Sequence, residues 1–430
     1  MFNEDELFSS PESIITTEKI VDTTPPEEEK KSIGISGEAT SILEFTGTRD
    51  WLQVGNEIEV SDDKSTILSS SIQGNIFFDA RLPKGTKCFA NLETHYYSTA
   101  DEANFFLREF FIDFNIHHAV YFRTGKQVLQ WGRCYLWNPS DLINVEKRTF
   151  KEKIGTREGA HGIKIHAPFG TKYNIYGFLD TGDVEEGDEI GAALKWECVI
   201  GKTEMAFSAW HKKDYRPVYA YDFSTRVWGI DTKGEAALSY GDNYEKLTIE
   251  KGLLTKYKEK NRWIPRICVD FGRSFDCMDV PDRISLNVEL YYNEGGYTDN
   301  LLSDDTPYTF SKPITISDPS GSSQPITLQE GTLRDFLLYT GMYEAHHFSK
   351  YYIALFTTTR KFIVSDMQLI LNMIGNLNDR SCILTSGIKY TNINDFSIGV
   401  TIYSYIGSRK CEYTMHNNAV TAQFTIGVLF

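Results

Sequence analysis

Polar and apolar residues alternate with a period of two through most of this chain, most cleanly at its end. Val420, Ala422, Phe424, Ile426, Val428 and Phe430 share one parity and are apolar. Thr421, Gln423, Thr425 and Gly427 share the other and are polar or small; Leu429 breaks the pattern. Such alternation puts the two sets on opposite faces of a strand. The sequence stops on an aromatic residue with no charged tail, which in a soluble sheet would leave a sticky edge. A barrel closed within a bilayer has no edge: one face meets hydrocarbon, the other a polar lumen.

The pattern repeats from Ser32 onward. Ile35, Ala39 and Leu43 oppose Ser36, Glu38, Thr40 and Glu44; Ile72, Ile76 and Phe78 oppose Gln73, Asn75 and Asp79. In the segment 88–97, Asn91, Glu93 and His95 share a face. Over 105–114, Leu107, Glu109, Phe111 and Asp113 are expected opposite Arg108, Phe110, Ile112 and Phe114. A strand is predicted from Ala119 to Trp131, and a hairpin from 227–231 and 235–240 around Thr232-Lys233-Gly234. In all, about eighteen such segments follow one another, most near the length of a tilted membrane strand. Short turns at Pro83-Lys84-Gly85, Pro168-Phe169-Gly170, Ile200-Gly201 and Asn392-Ile393-Asn394 alternate with longer loops.

The predicted architecture is therefore all-β: a single transmembrane antiparallel barrel over 31–430 of about eighteen strands, with sixteen as the alternative. Residues 1–30 are polar and acidic and read as a flexible periplasmic lead-in. Two segments do not alternate, 132–159 and a long outer loop at 293–343. β-sandwich domains would need a linker after residue 30, and a solenoid a fixed repeat; neither is present.

Composition narrows the function. Aromatic residues make up 13% of the chain, which suits strands with aromatic belts. The net charge of -15 argues against nucleic acid as a partner. No apolar run reaches the length of a membrane helix, a test that barrels escape. The seven cysteines form no CxxC pair and no zinc-ligand spacing, and read as small apolar fillers. Met1 is followed by Phe2-Asn3-Glu4-Asp5-Glu6 with no visible signal peptide. The barrel reading expects this sequence to start at a mature end.

On the segment ending at Trp131, Arg123, Gly125, Gln127 and Trp131 share a parity opposite Phe122, Thr124 and Val128. If the apolar parity faces lipid, Arg123 and Gln127 face the lumen, and Glu109 and Asp113 face it from the strand before. Carboxylates then stand beside a guanidinium, a pairing that charges in a narrow lumen require. They either line the solute path or simply brace the wall. Lys126 falls on the opposite parity, suggesting a bulge or a site near headgroups. The segment after Gly132 carries Arg133, Lys147, Arg148, Lys151, Lys153 and Arg157. Folded inward it would constrict the lumen and favour anions; the alternative is a loop packed on the rim. The candidate pore-lining residues are Glu109, Asp113, Arg123, Gln127, Trp131, Arg133 and Arg148.

The stretch Arg123-Thr124-Gly125-Lys126-Gln127-Val128-Leu129-Gln130-Trp131-Gly132-Arg133, followed by Trp137-Asn138-Pro139-Ser140-Asp141, resembles a motif of porin-like bacterial outer-membrane proteins of largely unassigned function. Glu289-Leu290-Tyr291-Tyr292-Asn293-Glu294-Gly295-Gly296-Tyr297 resembles a strand end in the same proteins. Asn378-Asp379-Arg380-Ser381, with Gly407 and Glu412, resembles their C-terminal part, with Arg380 where a Gly is usual. The resemblance implies an outer-membrane barrel whose terminal Phe430 strand is read by the barrel-assembly machinery. It also implies a lipid surround with a lipopolysaccharide-like outer leaflet.

The expected function is passive diffusion of small hydrophilic solutes. A plugged barrel acting as a surface structural protein or adhesin, and an outer-membrane lipid-acting enzyme, are the alternatives. No catalytic set, metal or cofactor is expected. No Gly-x-Ser-x-Gly elbow or phosphate loop occurs, and the adjacent His346-His347 would alternate faces on a strand.

Overall fold

A computed structural model describes residues 32–48, 66–82, 85–98, 102–143, 159–182, 184–250, 253–316, 326–393 and 395–430. Among them, eighteen strands form one sheet. In chain order these are β1 (Ser32–Thr48), β2 (Thr66–Leu82), β3 (Thr86–Tyr97), β4 (Glu102–Ile116), β5 (Val120–Gln127), β6 (Ala160–Phe169), β7 (Tyr173–Asp180), β8 (Gly191–Ile200), β9 (Thr203–His211), β10 (Val218–Val227) and β11 (Ile230–Tyr240). After an inserted hairpin, β12 (Lys246–Glu250) and β13 (Leu253–Tyr257), the sheet resumes with β14 (Trp263–Cys277) and β15 (Val280–Asn293). A second insertion carries β16 (Tyr308–Ile316), β17 (Ile326–Gly331) and helix α1 (Leu333–Tyr339). The wall is completed by β18 (Tyr351–Arg360), β19 (Met367–Asn376), β20 (Ser381–Ile393), β21 (Phe396–Ile406) and β22 (Asn418–Leu429).

Each wall strand pairs antiparallel with the next, and β22 pairs with β1, so the sheet closes into a barrel. Closure reaches the last residue: Gly37 N–H donates to the Phe430 carbonyl at 2.8 Å, and Phe430 N–H to that of Gly37 at 3.0 Å. Glycine is required at 37, because a Cβ there would lie 2.5 Å from the Phe430 ring and 2.7 Å from the Asn75 carbonyl.

Alternation sorts the side chains as the sequence predicts. Phe424 and Ile426 are each 41% exposed on the outside, with Ile35, Ile72, Leu194, Phe271 and Val400 also exposed. An aromatic row crosses the outer face from Tyr173 through Trp196 and Phe207 to Tyr221, with successive ring centroids 6.4, 5.9 and 4.9 Å apart. Opposite parities carry polar and charged residues, among them Thr421, Lys195, Asp222 and Glu289, all buried inside.

Three local expectations fail. First, of the two alternatives offered for Lys126, the bulge does not hold: the bulge is on β4. Glu109 pairs with Asn91 but Leu107 with Leu92, so Arg108 is the extra residue. Leu107 consequently turns outward, while the Arg108 guanidinium reaches Glu93 at 2.6 and 2.7 Å. Pairing runs unbroken through Lys126, and the local irregularity is instead Gly125, with φ of 122°. A side chain at 125 would collide with the Phe110 carbonyl, 2.2 Å from its Cβ. Second, the hairpin turns at Trp228-Gly229, both at positive φ, not at 232–234. Lys233 and Gly234 lie within β11: Lys233 faces Asp270, and Gly234 leaves room for the Phe223 ring. Third, β5 ends at Gln127 and the chain leaves the wall before Trp131.

The insertions have their own structure. β12 and β13 pair antiparallel, β13 pairs parallel with β16, and β16 antiparallel with β17. Their core gathers Leu254, Leu302, Phe310, Leu333, Phe336 and Leu337. Thr332 caps α1, exchanging hydrogen bonds with Asp335. His346 lies in a turn at φ of 61°, not on a strand, and its Nδ1 meets Tyr413 Oη at 2.7 Å.

Candidate functional site

The site is built where the chain leaves β5 and runs along inward-facing wall residues. Glu109 on β4 accepts the Val128 N–H at 2.9 Å, satisfying the first backbone donor beyond the strand. Below it, Asp113 and Arg123 are cross-strand partners joined by two hydrogen bonds, 2.6 and 2.9 Å. The guanidinium carbon lies 3.8 Å from the centre of the Phe111 ring, so the pair is held in place from beneath. Gln127 is 0% exposed and donates to the carbonyls of Arg123 and Gly162. Trp131 is buried with Leu129, Ile143, Phe178 and Ala193.

Arg133 sits among carboxylates from three adjacent strands. Its guanidinium donates to Glu197 on β8 at 2.7 Å, to Glu204 on β9 at 2.6 Å, and to Asp222 on β10. Lys195 bridges from β8, donating to the Trp131 carbonyl at 2.6 Å and standing 3.2 Å from Asp222. The charge of Arg133 is thus consumed locally. A buried guanidinium is tolerated only with such partners.

Two further wall carboxylates hold the segment's backbone. Glu235 on β11 accepts the N–H groups of Arg133 and Cys134 at one oxygen, and Ser140 N–H and Oγ–H at the other. Glu289 on β15 accepts Tyr135 N–H at 3.0 Å and Leu136 N–H at 2.7 Å. Trp137 stacks on Tyr291, with centroids 5.3 Å apart and planes at 8°, and its Nε1–H donates to the His346 carbonyl. Tyr135 packs edge-on against Phe356 of β18.

Within the segment, Asp141 N–H donates to the Asn138 carbonyl, closing a turn over Asn138–Asp141 with Pro139-Ser140 at its centre. That turn folds Asn138 back over Gly132, where a Cβ would meet Asn138 Oδ1 at 2.3 Å. The Trp-Gly and Asn-Pro pieces of the sequence motif are therefore two sides of one close contact.

Of the predicted set, Asp113 and Arg123 meet directly, Glu109 and Gln127 flank them, and Trp131 and Arg133 lie further along the same segment. Arg148 lies outside the described residues. Glu204, Asp222 and Glu235 were not among the candidates. For Asp222 and Glu235 the signal was a carboxylate placed mid-strand on the inward parity, where burial demands a partner; Glu204, at the start of β9 and partly exposed, carried no such signal.

No protein-family description and no curated protein matches this chain. Solved structures do. OccK2 (OpdF) of Pseudomonas aeruginosa superposes with a TM-score of 0.53 at 8% identity, covering 93% of this chain and 97% of that one. The chain shares the fold of the OccK outer-membrane porins. OccK9 (OpdG) matches at 0.52 and 6% identity, covering 93% and 98%. OccK2 in complex with glucuronate matches at 0.51 and 8%, with the same coverage as OccK9. At these identities the likeness is one of fold, and residue roles rest on the geometry above.

Proposed function

We propose that this protein is an outer-membrane channel for passive diffusion of small hydrophilic solutes. One observation carries the reading: a continuous apolar outer face and a charged inner face on one closed sheet. Water would penalise the first and hydrocarbon the second, and a bilayer-spanning pore satisfies both. The aromatic row on β7–β10 suits a headgroup boundary. Lipid, including a lipopolysaccharide-like outer leaflet, then surrounds the wall. The β22 strand ending in Phe430 is the part offered to the barrel-assembly machinery.

In this reading the segment starting at Gly132 is the filter. Its described part is supported from β8 through β18, so its position is set by the wall rather than by its own stiffness. Arg133 adds little anion preference, because three carboxylates surround it. Asp113–Arg123 and Arg108–Glu93 are self-paired and shape the bore more than they attract ions. No step of the proposed function requires catalysis.

A second reading, a plugged barrel serving as a surface structural protein or adhesin, draws on the same cross-lumen supports. Swelling of proteoliposomes decides between them. Purified protein, checked for heat-modifiable migration, is reconstituted and exposed to a pentose, a disaccharide and glucuronate. The sugar acid is included because OccK2 is solved with glucuronate. Swelling that falls with solute size supports the channel; folded protein that admits none of the three refutes it.

A further inference from the structure

Three ligating side chains converge where the inner segment meets the wall. Cys134 comes from the segment, Cys268 from β14 and Glu289 from β15; all are buried, with one ligand atom of each within 4.8 Å of the others. The Cys268 thiol donates to Glu289 Oε1 at 3.2 Å. Further acidic groups surround the cluster. Glu235 faces Cys268 across the β11–β14 ladder, and Asp270 faces Glu289 across β14–β15. Asp270 is 1% exposed and its Oδ1 has no hydrogen-bond partner, while Lys233 stands 3.6 Å from the other oxygen. Carboxylates this deep need compensating positive charge.

We propose that Cys134, Cys268 and Glu289 form a binding site for a thiophilic divalent cation of the zinc class. Zinc takes thiolates at about 2.3 Å and carboxylate oxygens at about 2.0–2.2 Å, so tetrahedral ligand atoms stand about 3.5–3.8 Å apart. The observed convergence accommodates that spacing with small movements. Binding exchanges two thiol protons, released to solvent, for two metal–sulfur bonds, and no electrons move. The Tyr135 and Leu136 N–H groups orient the Glu289 carboxylate as outer supports, and three protein ligands leave one position for water. The cation would clip the inner segment to β14 and β15. Cysteine spacing along the chain cannot reveal such a site, because its ligands come from separate elements.

The test uses the full chain, reduced and folded in detergent, with Co(II) as the probe. One cation per chain should produce the intense thiolate-to-Co(II) absorption band, removed by adding Zn(II). Cys134→Ser and Cys268→Ser should each abolish the band while heat-modifiable migration is kept. Cys198→Ser, at a buried cysteine outside the cluster, should leave it unchanged. Folded, reduced protein without a band overturns the proposal, as does a band that survives both cluster variants. Peptide mapping of the native protein that finds Cys134 joined to Cys268 by a disulfide also overturns it.

Discussion

Replacing Glu235 by Gln changes one atom of the side chain and little of its shape. In the native site one carboxylate oxygen takes the N–H groups of Arg133 and Cys134, and the other takes Ser140 N–H and Oγ–H. All four partners donate, and an amide supplies only one acceptor. Its NH₂ can be directed toward Ser140, where the hydroxyl reverses and accepts but the backbone N–H is lost. The remaining two bonds lose their charge assistance. A hydrogen bond to a charged group contributes about 1.5–3 kcal/mol, and roughly half that when neutral. A neutral amide is cheaper to bury, which offsets part of this loss, while the Arg133 and Lys195 pairs with Asp222 stay in place. The net cost is about 3 kcal/mol, or about a hundredfold in the equilibrium between docked and undocked segment. Hydrogen exchange read by mass spectrometry measures it. Amides of Arg133, Cys134 and Ser140 should exchange about a hundredfold faster in Glu235→Gln, with β20 and β21 unchanged. Exchange in the segment within about threefold of wild type, or a uniform rise across the wall, refutes the reasoning.

Other expectations follow from the same contacts. Gly37→Val forces a side chain against the Asn75 carbonyl and the Phe430 ring, so closure should weaken by about 1–3 kcal/mol; the check is a lower temperature for heat-modifiable migration. Arg133→Ala leaves Glu197, Glu204 and Asp222 without their shared cation, so reversal potentials in asymmetric salt should move toward cation preference. Burial, reinforced by Asp379, raises the Glu412 carboxyl from 4.5 to about 7, against hydrogen bonds from Tyr352, His346 N–H and Asn376. A raised folded value means that its stabilisation is complete below pH 4.5 and is lost as pH rises through about 7. Exchange protection in 343–350 should therefore fall from pH 5 to pH 8 in the wild type and stay flat in Glu412→Gln.

Much of the barrel was legible because its physics is local. A strand with one face in hydrocarbon must alternate, and Phe424, Ile426, Leu194 and Trp196 announce their direction one by one. Departures arise where geometry is not local. Arg108 becomes a bulge because Glu93, on another strand, holds its guanidinium. Trp228-Gly229 is a turn that the residue type at 228 conceals, whereas Thr232-Lys233-Gly234 looks like a turn but belongs to β11. The Asp113–Arg123 pair was readable because its strands are adjacent. The Arg133 cage was not, since Glu197, Glu204 and Asp222 come from strands whose proximity to the segment only closure creates. The inserted sheet escaped for the same reason: β13 meets β16 across β14 and β15.

The most direct measurement is single-channel recording in planar bilayers with purified, folded wild type and Glu235→Gln. The wild type should show discrete conductance steps, and Glu235→Gln noisier, larger steps as its inner segment loosens. A folded wild type that never opens, or a Glu235→Gln trace that cannot be told from wild type although hydrogen exchange shows the segment undocked, would contradict this.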